Sequence, residues 1–219
     1  MSADAEAGRD ETGGLPPVAR QSPTTARLET FSDGVIAIAI TLLILEVKVP
    51  HPTSGQTLGA AVIQQWPSYA AYVVSFLTIG IIWVNHHHMF TLIERTNHTF
   101  LMLNVLFLMA IAAIPWPTAL VAAHLRDPNG RTVAAVIYGL TFLAIAIMFN
   151  VVWRYAARGM RLLDRNGDPA AVERINRSYA AGPVSYLAAT VLAFVSPWIS
   201  LIAYIALAVF WALPVAASS

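Results

Sequence analysis

The chain has 219 residues, of which 57% are hydrophobic and only 11% charged, and its mean hydropathy is +0.62. Soluble domains carry roughly 25% charged residues, so this composition points to an integral membrane protein. A net charge of +1, with the basic residues scattered through loops, gives no basis for nucleic-acid binding, and the lack of cysteine excludes disulfides, thiolate catalysis and Cys-based metal sites.

Residues 1–26 are rich in small, Pro and acidic residues and read as a disordered cytoplasmic tail, lacking the basic start and apolar core of a secretory signal. Residues 27–215 read as one transmembrane domain. Six segments are long and apolar enough to cross: Leu28–Val49, Pro67–Phe90, Phe100–Ala123, Thr132–Trp153, Tyr179–Val195 and Pro197–Leu213. The last two are separated only by Ser196 and form a tight hairpin. None has the alternating pattern of a barrel strand, so the expected fold is all-α. With the N-terminus inside, ten Arg residues fall on the cytoplasmic side against Lys48, Arg126 and Arg131 outside. That bias predicts a multi-pass protein of the cell membrane with both termini cytoplasmic. Six of those ten lie in 154–178, which reads as a solvated basic cytoplasmic loop.

The first span is informative. Its uncharged stretch, Gly34–Leu45, is 12 residues, about 18 Å of helix, against a hydrocarbon core of about 30 Å. Spanning therefore places Asp33 inside the bilayer, where an unpaired charge costs about 2.5–3.5 kcal/mol. The up-and-down topology brings Ser32 and Asp33, the end of the second span (Trp83 and His87) and Asn104 to one depth in the inner leaflet. These groups, with Arg27, are expected to form one polar network, because in lipid such groups must find one another or water. Structural bracing of the first three spans and proton or ion sensing are both open to it. The run His86-His87-His88 is no metal site by spacing, since consecutive helical residues point about 100° apart.

Ile38, Thr41, Leu42 and Leu45 follow i, i+3, i+4, i+7 and form one stripe on the first helix. Asp33 lies about 140° around the helix from Ile38, so stripe and acid face different neighbours. Spacing alone leaves lipid, another helix and a symmetry axis as neighbours of the stripe.

Arg27-x3-Phe31-Ser32-Asp33-Gly34, followed by the Ala-Ile-Ala-Ile-Thr-Leu-Leu run, closely resembles the signature of the transmembrane protein 175 family, in its bacterial branch. Trp83-x2-His86-His87-x2-Phe90 and Asn104 followed by Pro115-Trp116-Pro117-Thr118 agree with it, although the family usually has Phe where Trp116 stands. The resemblance covers about residues 27–120. It implies a homotetrameric channel of six helices per subunit, passing potassium ions passively without a cofactor, and the Thr-Val-Gly-Tyr-Gly filter of ordinary potassium channels is absent here too. It further implies a pore lined by the first helix, with Ile38 as main constriction, Leu42 and Leu45 as further apolar rings, and Thr41 in selectivity. Arg27, Asp33, Trp83 and His87 match the family's bracing network. Glu46, one turn past Leu42, is then expected as a ring of carboxylates at the outer mouth. The competing class is a proton-coupled secondary transporter built on Asp33 and the histidines, which the apolar midplane of the first helix disfavours. An enzyme is not expected: no Ser/His/Asp order, paired carboxylates or metal spacing is present.

Overall fold

The computed structural model describes residues 23–164 and 168–212. All regular elements among these are helices: α1 (Pro23–Leu42), α2 (Leu58–Gln64), α3 (Trp66–Thr91), α4 (His98–Ala112), α5 (Pro115–His124), α6 (Arg131–Ala157), α7 (Pro169–Val195) and α8 (Pro197–Ala212). Five stretches are long and apolar enough to cross a membrane: Thr24–Glu46, Trp66–Thr91, His98–His124, Arg131–Met160 and Pro169–Val195. The apolar α8 has 16 residues, about 24 Å. The protein is an all-helical, multi-pass membrane protein. Helix α6 is central, packing on α4, α5 and α7, while α1 packs on α3 and α4 at one side and the α7–α8 hairpin closes the other.

Several boundaries differ from the sequence reading. Helix α1 begins at Pro23, so residues 23–26 are helical rather than tail; residues 1–22 and 213–215 lie outside the described residues. It ends in a 3-10 turn, Leu43–Glu46, short of Val49. The 154–178 segment is no simple loop. Helix α6 runs to Ala157, and α7 starts at Pro169, where Asp168 caps it by accepting from the N–H groups of Ala170 and Ala171 at 2.8 and 3.2 Å. Between them, Leu162 and Leu163 are buried, and the Leu162 carbonyl accepts from the N–H groups of Glu94 and Arg95 at 3.0 and 3.2 Å. The α6–α7 connection is thus stitched to the α3–α4 connection, at the end of the bundle where α1 begins. The α7–α8 hairpin has the expected tight turn.

Prolines break three helical ladders, and in each the freed carbonyl finds a new donor. Pro115 and Pro117 cannot donate, so Ile111 and Ala113 carbonyls accept from Ile114 and Trp116 N–H at 3.0 and 3.2 Å, and the kink separates α4 from α5. Pro183 inside α7 frees the Tyr179 carbonyl, which accepts from Asn150 Nδ2 of α6 at 2.8 Å. No lipid-facing backbone group is orphaned at these breaks.

The scaffold is also fastened by buried hydroxyls: Ser75 with Thr118 (2.8 Å) and Tyr138 (3.1 Å), and Tyr204 donating to Thr190 (3.1 Å). Gly139 permits that packing, because a Cβ there would collide with Tyr204 Oη and Thr190 Oγ1. Gly139→Ala should therefore lower stability in detergent by about 1–3 kcal/mol, read as a fall in the midpoint of thermal unfolding; an unchanged midpoint would show that α7 and α8 yield freely.

Candidate polar brace and exposed stripe

Helix α1 has two faces of opposite character. Leu28, Ser32, Ile36, Ala39 and Leu43 are buried and form a continuous seam against α3 and α4. On the other side Phe31, Ile38, Thr41, Leu42 and Leu45 are exposed, with Ile38 and Leu45 each 61% accessible. The 3-10 turn matters here: residues i and i+3 eclipse in such a turn, which sets Leu45 nearly in line with Leu42 and extends the stripe straight. The Thr41 hydroxyl donates within its own helix, its oxygen 2.9 Å from both the Ala37 and Ile38 carbonyls. Its own lone pairs remain as acceptors on the exposed face. Beyond the stripe, Glu46 lies 3.9 Å from Lys48 Nζ, which also donates to the Leu45 carbonyl at 2.9 Å. The acid expected at an outer mouth therefore carries a basic neighbour that weakens its field.

Two sets of hydrogen bonds fix the buried side. The first is fully enclosed. Ser32 Oγ donates to the Leu28 carbonyl at 2.9 Å, Asn104 Nδ2 donates to Ser32 Oγ at 2.8 Å, and His86 Nε2 is 3.1 Å from Asn104 Oδ1. The serine has one hydrogen and spends it on the backbone, so it must accept from the amide. The amide oxygen must then accept from the histidine. That chain of donors places the His86 hydrogen on Nε2 and leaves Nδ1 as a buried acceptor without a partner. The ring is held by Phe90 and Phe107, at centroid distances of 4.5 and 5.5 Å, and Phe107 packs edge-on against Phe149 of α6 at 5.8 Å.

The second set is more open. Trp83 Nε1 donates to Asp33 Oδ1 at 2.9 Å, and His87 Nδ1 pairs with Glu29 Oε1 at 2.8 Å. Trp83 and His87 are stacked, with centroids 6.1 Å apart. The pairing has a simple origin. Residues 83 and 87 are one turn apart on descending α3, residues 33 and 29 one turn apart on ascending α1, and antiparallel helices match such pairs rung to rung. The Asp33 carboxylate thus has the partner that its depth demands. Nearer the inner end, Thr25 Oγ1 donates to the Glu94 carbonyl at 3.2 Å.

Of the residues expected in one network, Ser32, Asp33, Trp83, His87 and Asn104 come together, in two groups rather than one. Arg27 does not join them: it is exposed beside Ala26, Thr30 and Phe31 and forms no ion pair among the described residues. Glu29 and His86 were not anticipated as members. Glu29 was legible as the residue one turn below Asp33. The three consecutive histidines diverge, His86 inward, His87 toward Glu29 and His88 outward, and among the described residues no three His, Asp or Glu side chains stand where they share an ion.

The family model for the endosomal/lysosomal potassium channel TMEM175 matches residues 27–115, which contain the stripe and every member of both groups. A potassium channel of Chamaesiphon minutus is 46% identical over 197 residues, covering 89% of this chain and 97% of that protein. The chain belongs to the TMEM175 family. A potassium channel of Streptomyces collinus is likewise 46% identical over 187 residues, covering 85% of this chain and 91% of that one. The crystal structure of a lysosomal potassium-selective TMEM175 homolog from Chamaesiphon minutus superposes with a TM-score of 0.80 at 43% identity, covering 90% of this chain and all of that one. Kinship thus extends over the whole scaffold, α6 to α8 included.

The Ser32–Asn104–His86 chain makes a sharp prediction. Asn104→Leu strands the His86 Nε2–H in a dry site and should cost about 1–3 kcal/mol. Adding His86→Phe removes the stranded donor and should recover most of that loss, as measured by thermal unfolding in detergent; strictly additive losses would mean that the two side chains do not act through one bond.

Proposed function

We propose that this chain is a subunit of a homotetrameric channel that conducts potassium passively, with weak discrimination, along a fourfold axis lined by α1. The observation that carries this reading is the pair of faces on α1: one tied to its own subunit by polar bonds, the other a straight exposed stripe of Ile38, Thr41, Leu42 and Leu45. Relatives of similar length and nearly half-identical sequence are named potassium channels. Four Ile38 side chains around an axis form a dry ring that blocks hydrated ions until α1 moves outward or rotates. Leu42 and Leu45 add further apolar layers, and Thr41 supplies hydroxyls between Ile38 and Leu42. Glu46, tempered by Lys48, rims the outer mouth. Arg27, without an ion pair among the described residues, is available at the inner end.

In this reading α8, joined to α7 by a tight turn, is a sixth span. Both termini are cytoplasmic and the channel resides in the cell membrane. The stack of Trp66 on Trp198 at 6.3 Å, with Arg126 at 5.7 Å from the Trp66 ring, supports that topology. It gathers the starts of α3 and α8 and the α5–α6 connection into an aromatic belt on one side. No observation favours a transporter: carbonyls freed at broken helices point at substrate in such proteins, whereas here Ile111, Ala113 and Tyr179 carbonyls are all taken by internal donors.

Ile38→Asn should wet the ring and raise potassium leak from liposomes well above the parent; unaltered flux would remove Ile38 as the constriction. Thr41→Ala should shift the reversal potential under potassium–sodium gradients toward non-selectivity, and an unmoved potential would leave selectivity to other groups.

A further inference from the structure

A cavity of about 80 Å³ lies within the subunit, between α3, α6, α7 and α8, away from the exposed stripe. Its lining is mainly apolar, Phe142, Ile145 and Ala208 included, and Asn85, Asn150 and Trp211 are among its polar members. These three have a specific hydrogen-bonding character. Trp211 Nε1 is buried and has no partner among the described residues, although buried indole N–H groups normally find one. Asn85 Nδ2 donates to the Ile81 carbonyl at 2.9 Å, and Asn150 Nδ2 donates to the Ala146 and Tyr179 carbonyls at 3.0 and 2.8 Å. Asn150 thereby commits both N–H groups to backbone and Asn85 one of its two, and each amide keeps its oxygen as an acceptor. No charged side chain lines the space.

Two free donors, the Trp211 indole N–H and the second Asn85 N–H, beside two amide oxygens match a hydroxyl group, which both accepts and donates. A carboxylate only accepts, and would bury its charge here with no cation. An amine would leave the indole without an acceptor. The apolar lining suits a short hydrocarbon tail: at about 80 Å³ the space is roughly half the ~150 Å³ apolar cavity that holds benzene, which limits the tail to a few carbons. We propose that this cavity is an intramembrane binding site for a neutral hydroxyl-bearing amphiphile, of the short-chain alkanol class. An occupant packs against α3, the helix whose Trp83 and His87 hold α1, so occupancy bears on the rotation of α1. That second consequence rests on the channel reading; the binding itself does not.

The test uses the full chain in liposomes with 4-bromo-1-butanol, whose bromine quenches nearby tryptophan. A saturable quenching component is expected, competed by 1-butanol and not by butyrate, and lost in Gly182→Leu. A first added carbon at Gly182 has room, lying 3.9 Å from Ala146 Cβ and 4.0 Å from Trp211 Cζ2, while the rest of the leucine occupies the cavity. Quenching that rises linearly with alcohol, as for simple partition into lipid over a water-filled cavity, overturns the site, and so does equal competition by butyrate. Because competition is read on the unmodified protein, poor folding of Gly182→Leu does not shield the proposal. In the same liposomes 1-butanol should alter potassium flux, and Trp211→Phe should raise the half-effective concentration by roughly 3- to 10-fold. Saturable quenching with flux indifferent to 1-butanol overturns the coupling to α1. Lack of any potassium flux in untreated liposomes overturns the channel reading and leaves the binding result standing.

Discussion

In a bilayer, apolar side chains gain little by leaving lipid tails for one another, so greasiness alone cannot fix how a membrane helix is rotated. Helix α1 is nearly all Ile, Leu, Ala and Val beyond Asp33, and nothing in that composition distinguishes one face from the next. Its rotation is set instead by polar bonds that lipid cannot replace: Ser32 to Asn104 and His86, Asp33 to Trp83, Glu29 to His87. Because a helix is rigid over a few turns, fixing these rungs near its inner end also fixes where Ile38 and Leu45 point above them. The exposed stripe is thus a consequence of the brace.

The brace depends on a scaffold that does not move with it. Phe107 transmits the His86 ring to Phe149 of α6, and α6 is held by α7 through Asn150 and through the close approach at Gly139. The Leu162 carbonyl ties the α3–α4 connection to the end of α6 through the N–H groups of Glu94 and Arg95. The kinks at Pro115, Pro117 and Pro183 bend helices without exposing carbonyls, so they shape the scaffold at little cost.

The stripe and the shared depth of Asp33, Trp83 and Asn104 were readable from sequence, because helical period and alternating topology are rigid rules. Glu29 was missed: a span read as starting at Leu28 makes it an interfacial acid, whereas α1 starts at Pro23 and gives it a helical rung. Arg27 was placed with the network by resemblance and depth, yet its position on α1 turns it away from α3. The early start of α7 was hidden by Glu173, Arg174 and Arg177, whose charges end any hydropathy window although they sit exposed on a regular helix. The 3-10 turn at Leu43–Glu46 leaves no mark in a uniform apolar run. Asn150, filling the gap made by Pro183, bonds to Tyr179 29 positions away, a pairing that only packing decides.

The central claim is that α1 helices of neighbouring subunits face one another across a shared axis. The chain has no cysteine, so a single Ile38→Cys substitution reports on that face without background. Mild oxidation in native membranes should yield disulfide-linked dimers and block potassium flux, with both effects reversed by a reductant, since a disulfide demands Cα atoms within about 7 Å. Chains that stay monomeric, with flux untouched by oxidant, would put Ile38 against lipid and contradict the account.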